Sequence, residues 1–166
     1  CGTLPFLPRL GWTTKLPLEF DKLIYRAYGP TETYCDMYEF AQKKQYVSTI
    51  SQQYHHYVKP QESGSHYLPD YAEVSDGKHF VRVEGMTSFS ALPYSAKQIA
   101  GAKHDFELPK RDGTYLTADL CMSGLGSNAC GPLPHECHLT PKKGSATLTF
   151  VYGKVINWEY EYKMNI

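Results

Sequence analysis

Long apolar runs are missing from this 166-residue chain. Its longest candidates are broken by Lys, Thr or Gly within a few positions, far short of the ~20 apolar residues that span a bilayer as a helix, so no membrane partner is expected. Net charge is missing too: Lys and Arg together number 17, as do Asp and Glu. Without a long-range field to draw in a polyanion, and with Lys43-Lys44 and Lys142-Lys143 as isolated basic doublets, nucleic acid is not an expected partner either. Cysteine is sparse. Its five residues, an odd number scattered from Cys1 to Cys137, lack the density of a disulfide-stapled scaffold and are read as mostly free thiols. The opening Cys1-Gly2-Thr3-Leu4-Pro5 has neither the basic nor the apolar region of a signal peptide, and no initiator Met precedes it. A segment of something longer is expected, without a signal peptide of its own, and both cytoplasm and periplasm stay open.

What the chain does have is aromatic residues (14%, including 14 Tyr) and 42% apolar content, enough for one globular domain over 1–166. Turn residues recur at short intervals, from Pro5 and Pro8 through Gly29-Pro30, Ser63-Gly64, Asp76-Gly77 and Asp112-Gly113 to Gly144, a spacing that suits short strands. Between them lie β-favouring runs at 22–28, 54–58, 71–74, 78–84, 114–121 and 145–152. In the last run Ala146, Leu148, Phe150 and Tyr152 alternate with Ser145, Thr147, Thr149 and Val151, predicting a strand with one face on a core. A further terminal strand is expected within 153–166, where Val155 to Tyr162 alternates again. Residues 95–104 predict one short helix, with Ser95 as N-cap and Ala96, Ile99, Ala100 and Lys103 at helical spacing. Tyr38 to Gln45 is read as a weak second helix or an irregular crossing. The fold class that follows is all-β: an antiparallel β-sandwich with one short helix.

Four acids are candidates for chemistry. Glycoside hydrolysis needs two carboxyls about 5 to 9.5 Å apart, and Glu32, Asp36, Glu62 and Asp119 are the candidates. Glu32, Asp36 and Glu62 stand in turn-like strings, where a carboxylate commonly accepts nearby backbone N–H groups, so a structural role is favoured. Cys121, Cys130, His135, Cys137 and His138 lack the tight paired spacing of a structural zinc site. No metal is expected, and small buried thiols are the favoured reading. His55 and His56 are read as surface imidazoles. The Tyr and Trp residues suit either a sugar-stacking platform or core and cross-strand pairs, with the latter favoured. The Met122-to-Pro132 stretch, with its glycines, Asn and Pro after a strand, predicts an irregular excursion of the kind that carries binding residues.

Several strings occur in one order: Leu7-Pro8-Arg9-Leu10-Gly11, Tyr28-Gly29-Pro30-Thr31-Glu32-Thr33-Tyr34-Cys35-Asp36, Tyr57-Val58-Lys59-Pro60-Gln61-Glu62-Ser63-Gly64, Phe89-Ser90-Ala91-Leu92-Pro93-Tyr94 with the helix and His104, and Asp119 leading into Gly124-Leu125-Gly126-Ser127. Together, over residues 7 to 152, they resemble the C-terminal, small-chain region of family 2 glycoside hydrolase β-galactosidases. The resemblance implies part of a galactose-mutarotase-like β-supersandwich at the end of a long chain. A central barrel in that chain would cleave terminal β-D-galactosyl residues with retention, using one Glu as acid/base and another as nucleophile. Nothing here matches the barrel's motifs. This segment is therefore expected to hold no catalytic residue, no cofactor and no metal ligand, the family's magnesium and sodium being bound by other domains.

The implied partners are the catalytic domains of the same chain or a separate large catalytic subunit, a β-galactoside substrate, and a second copy covering open sheet edges. The implied substrate-rim loop comprises Ser123, Gly124, Leu125, Gly126, Ser127, Asn128 and Cys130. Cys130 falls near the position of a Trp that stacks on substrate in the family, so the loop is expected to shape a pocket rather than grip the sugar. Met37 stands where the family commonly has Arg, and the tail from Gly153 has no family counterpart. The competing expectation is an autonomous carbohydrate-binding or structural β-sandwich module.

Overall fold

The computed structural model describes residues 8–126 and 146–155. Its strands are β1 (Arg9–Leu16), β2 (Lys22–Gly29), β3 (Gln42–Thr49), β4 (Ser65–Tyr67), β5 (Tyr71–Ser75), β6 (His79–Glu84), β7 (Ser88–Leu92), β8 (Thr114–Met122) and β9 (Thr149–Lys154), with helix α1 (Ala96–Gly101) between β7 and β8. One sheet is ordered β1-β8-β7-β4 and the other β3-β2-β5-β6-β9. Every pairing is antiparallel. The fold is thus the expected all-β sandwich with one short helix.

Alternation builds the core. In β2, Leu23, Tyr25 and Ala27 point inward, joined by Ala72 and Val74 of β5 and Val83 of β6. From the other sheet come Phe89 and Ala91 of β7 and Leu116 and Ala118 of β8. The phase is strict: Glu73, between Ala72 and Val74, points to the opposite face, where Arg82 of β6, its register partner, reaches it at 2.9 Å through both Nε and Nη2. The Arg82 guanidinium also lies 4.4 Å from the Tyr71 ring centre, closing a cross-strand cluster on the outer face. A smaller cluster of Tyr54, Leu92 and Ile99 fastens α1 to the sandwich.

The structure corrects several expectations. Residues 54–58 are not a strand: a 3-10 turn (Ile50–Gln53) leads into irregular chain there, because Tyr54 and Tyr57 turn inward to separate partners instead of alternating across a sheet. Residues 42–45, read as helix or crossing, belong to β3, a polar edge strand whose Lys43 and Lys44 give no apolar signal. The helix stops at Gly101, and a separate 3-10 turn follows at Asp105–Glu107. Ser95 does cap it, accepting from Gln98 N at 3.2 Å. The last run starts as strand only at Thr149, and Thr149 to Tyr152 are exposed on both faces, β9 being the outermost strand of its sheet among the described residues; of the alternating set that includes Phe150 and Tyr152, Leu148 packs on the core. Ser145 and the terminal strand beyond Val155 lie outside the described residues.

Candidate functional site

Three of the motif strings, far apart in sequence, meet at one end of the sandwich, in the loops after β2, before β4 and after β8. Glu32, on the loop leaving β2, joins them first. Its Oε2 accepts from Gly64 N at 2.8 Å and from the Tyr34 hydroxyl at 3.2 Å, while its Oε1 accepts from the Tyr57 hydroxyl at 2.7 Å. Burial beside Glu32 and Glu62 drives the Tyr34 hydroxyl far above the usual phenol range. The hydrogen bond to Glu32, with burial, pushes Tyr57 up to about 12. Both phenols therefore stay protonated donors across the physiological range.

The second carboxylate centre is Asp119 on β8, fully buried. Arg9 of β1 lies between two acids, with Nη2 2.8 Å from Glu62 Oε1 and Nε 3.0 Å from Asp119 Oδ1. The second contact is an ion pair without hydrogen-bond alignment. Ser88 of β7 donates to Asp119 Oδ2 at 3.0 Å. Burial raises the Asp119 carboxyl to about 6, against the opposing pull of Arg9 and Ser88 and helped by the negative charge of Glu62. The close approach of the strands rests on Gly11, which sits at a register shift in the β1–β8 pair. A Cβ there would come within 2.6 Å of Ala118 O and 2.7 Å of Asp119 Oδ1.

Asp36 completes the set. Residues 34–37 form a tight turn, with Tyr34 and Met37 exchanging backbone hydrogen bonds at 2.9 Å, and this presents the Asp36 carboxylate to the segment after β8. It accepts from Leu125 N at 3.1 Å and Gly126 N at 2.9 Å. Gly124 has φ +76°, and a Cβ on it would lie 2.6 Å from the Asp36 carboxylate, so both conformation and space call for glycine. Ser123 anchors the segment's start, its N and Oγ both donating to Pro8 O, at 3.0 and 3.1 Å. Cys35 Sγ approaches Met122 O at 3.6 Å. Of the seven rim residues named from the sequence, Ser123, Gly124, Leu125 and Gly126 are thus pinned by protein contacts; Ser127, Asn128 and Cys130 lie outside the described residues, as do His135, Cys137 and His138.

Glu32, Asp36 and Glu62, the acids of the turn-like strings, each have protein partners, and so does Asp119 on β8. Apart from the Tyr34 hydroxyl on Glu32, those partners are remote in sequence, which sequence alone did not disclose. Arg9 and Tyr57 stand in the sequence only as members of the motif strings, and no spacing rule links them to Glu62 or Glu32. His66 was not singled out at all. It is buried against Tyr25 and Phe89, its Nδ1 3.2 Å from Tyr28 O and its Nε2 2.6 Å from Gln53 Oε1. Burial lowers it to about 4, so it is a neutral core imidazole. His55 and His56 are exposed, His56 lying 2.9 Å from Asp105. Several of the ring contacts are cross-strand or core pairs, such as the register partners Tyr25 and Tyr46 at 5.3 Å. Among the described residues, Cys121 is a free thiol, and no group of three or more His, Cys, Asp or Glu side chains is placed to hold a metal ion.

Comparison with known proteins agrees with this arrangement of motifs. The family described as beta galactosidase small chain matches residues 2–152. The β-galactosidase of Actinobacillus pleuropneumoniae is 35% identical over 154 residues, 92% of this chain and 15% of that protein. That of Staphylococcus xylosus is 35% identical over 136 residues, 81% of this chain and 14% of its own length, and that of Streptococcus thermophilus 31% over 153 residues, 89% and 15%. The chain therefore spans only about 15% of the curated relatives it matches. With a family match over nearly its whole length, this chain belongs to the β-galactosidase small-chain family.

Proposed function

We propose that this chain is the non-catalytic C-terminal segment of a β-galactosidase that hydrolyses terminal β-D-galactosyl residues with retention, scaffolding the enzyme and completing its active-site rim. The observation that carries the proposal is the Asp36 carboxylate holding the Leu125 and Gly126 amides. It fixes Leu125 and Gly126, where the segment leaves β8, to a turn in another motif string, as a wall of a pocket requires, and binding segments work best on such rigid supports. The catalytic carboxyls would come from other domains, in the same chain or in a large partner subunit, and magnesium and sodium would sit there too. In support, Glu32, Asp36, Glu62 and Asp119 each already face protein donors. The two sheets would form part of a galactose-mutarotase-like supersandwich.

The test is turnover of a chromogenic β-galactoside by the purified 166-residue chain alone and after addition of the large catalytic part of a small-chain-family β-galactosidase. The expected result is no turnover alone and turnover on reconstitution. Activity of the isolated chain that survives purification and is lost in Glu32→Gln or Glu62→Gln would overturn the proposal.

A further inference from the structure

Between the loop after β2 and the chain following the 3-10 turn at Ile50–Gln53 lies an open cleft of about 370 Å³. That is within the ~300–1,000 Å³ typical of small-ligand sites. Its floor is buried: Gln53, Tyr54, Gly64 and His66. Its rim is exposed, with Gln52 and His55 on one side and Thr31 on the other, and Glu32 and Tyr57 stand between.

The lining groups restrict what could enter. Glu32 Oε2 already receives two hydrogen bonds but Oε1 only one, from Tyr57, so a lone pair of Oε1 remains for another donor. Gln52 spends its Oε1 on Thr49 N and the Ser48 hydroxyl, at 3.1 and 3.2 Å. Its amide nitrogen has no acceptor among the described residues and is a donor available to a ligand. The Tyr57 and His55 rings, edge-to-face at 4.3 Å, supply apolar surface beside these polar groups. Among the described residues no Lys or Arg lines the cleft, and Glu32 is an acid, so an anion is disfavoured. A cation would meet a single carboxylate already holding three donors. A purely apolar guest would strand the Glu32 and Gln52 groups away from water.

A neutral ligand that both donates and accepts, and that has C–H faces to lay on aromatic rings, satisfies all of them. We infer that this cleft binds a neutral, hydroxyl-rich small molecule of the monosaccharide class, with Glu32 and Gln52 engaging its hydroxyls and His55 and Tyr57 its ring. The inference goes beyond the rim reading: none of Ser123 to Gly126 lines the cleft.

The test is titration of the 15N-labelled 166-residue chain with D-galactose and, in parallel, D-glucose, followed by amide and side-chain chemical shifts. Saturable shifts at Thr31, Glu32, Gln52, His55 and Tyr57 are expected with at least one of the two sugars. Gln52→Ala and His55→Ala, both at the exposed rim, are each expected to weaken binding about threefold to tenfold, the loss of one neutral hydrogen bond or ring contact, with the remaining spectrum unchanged. Shifts that stay linear and unsaturated, saturable shifts confined to Ser123 to Gly126, or binding that is the same in both variants as in the parent chain would each overturn the inference. The turnover and reconstitution assay fails or succeeds independently of this titration.

Discussion

Asp119 offers the sharpest test of how the motif end is held together. Its carboxyl is fully buried, and burial raises it from 3.8 to about 6 despite Arg9 and Ser88. Between those two pH values the folded chain keeps a proton that the unfolded chain has released. Stability from this group is therefore fully present below pH 4, falls as pH rises from about 4 to 6, and is level above. A shift of this size is worth about 3 kcal/mol at most. In Asp119→Asn the side chain stays neutral at every pH, so this slope disappears, while the amide oxygen can still accept from Ser88 and Arg9 keeps Glu62. Urea unfolding of both proteins at pH 4, 5, 6 and 7 measures the difference directly. The parent chain is expected to lose stability relative to the variant across this range, by an amount on the order of 1–3 kcal/mol. Parallel pH curves for the two proteins, or a difference that changes in the opposite sense, would refute the reasoning that burial outweighs the Arg9 ion pair.

Two further outcomes are expected. Asp36→Ala removes the acceptor for the Leu125 and Gly126 amides; for a partly exposed charged acceptor the local loss is about 1–2 kcal/mol, seen as roughly five- to thirtyfold faster hydrogen exchange at those two amides with no change in the core strands. Unchanged exchange there would show that Ser123 and Pro8 suffice to hold the segment. Where the β1 edge of one sheet meets the β9 edge of the other, Leu10 and Trp12 of β1 and Val151 and Tyr152 of β9 are exposed, and Trp12 meets Phe150 at 4.6 Å. Such apolar outer strands invite pairing, so the 166-residue chain is expected to self-associate by light scattering, and Val151→Lys to shift it toward monomer; a monomeric parent chain at all concentrations counts against this.

The legibility of the sequence followed burial geometry. β2 was readable because only one of its faces meets the core, so Leu23, Tyr25 and Ala27 alternate with more exposed neighbours. β7 left no such trace: all five of its residues are buried, and two of them are serines, Ser88 being retained inside by its bond to Asp119. β3 failed in the opposite way, since an edge strand carrying Lys43 and Lys44 shows neither apolar run nor clean alternation. Tyr54 to Val58 has the composition of a strand. There tertiary demands outweighed propensity: Tyr57 reaches Glu32, and Tyr54 packs with Leu92 and Ile99. At the site, the acids could be singled out one by one, but their partners could not, because no local pattern connects Arg9 to Asp119 or Asp36 to Gly126.

That pairing also bears on why this end of the molecule is so rich in acids. Perturbed carboxyls mark functional sites often enough that Asp119 invites a catalytic reading. A general acid, however, needs a raised pKa and access to substrate in the same residue. Here the two are separated. Asp119 has the raised pKa but is fully buried, whereas Glu62, with about a third of its side chain exposed, is paired to Arg9. Glu32 must keep three donors satisfied to hold the loop before β4, and Asp36 must keep its two amides to hold the segment after β8. Glu32, Glu62 and Asp36 each close a contact between chain segments that no strand pairing joins, whereas Asp119 ties β8 to its sheet neighbours β1 and β7. Removing any one of them would leave buried or half-buried donors unpaired. The acids of the ordered motif strings thus serve the polar closure of one end of the sandwich, and of these four it is Glu32 that also lines the cleft.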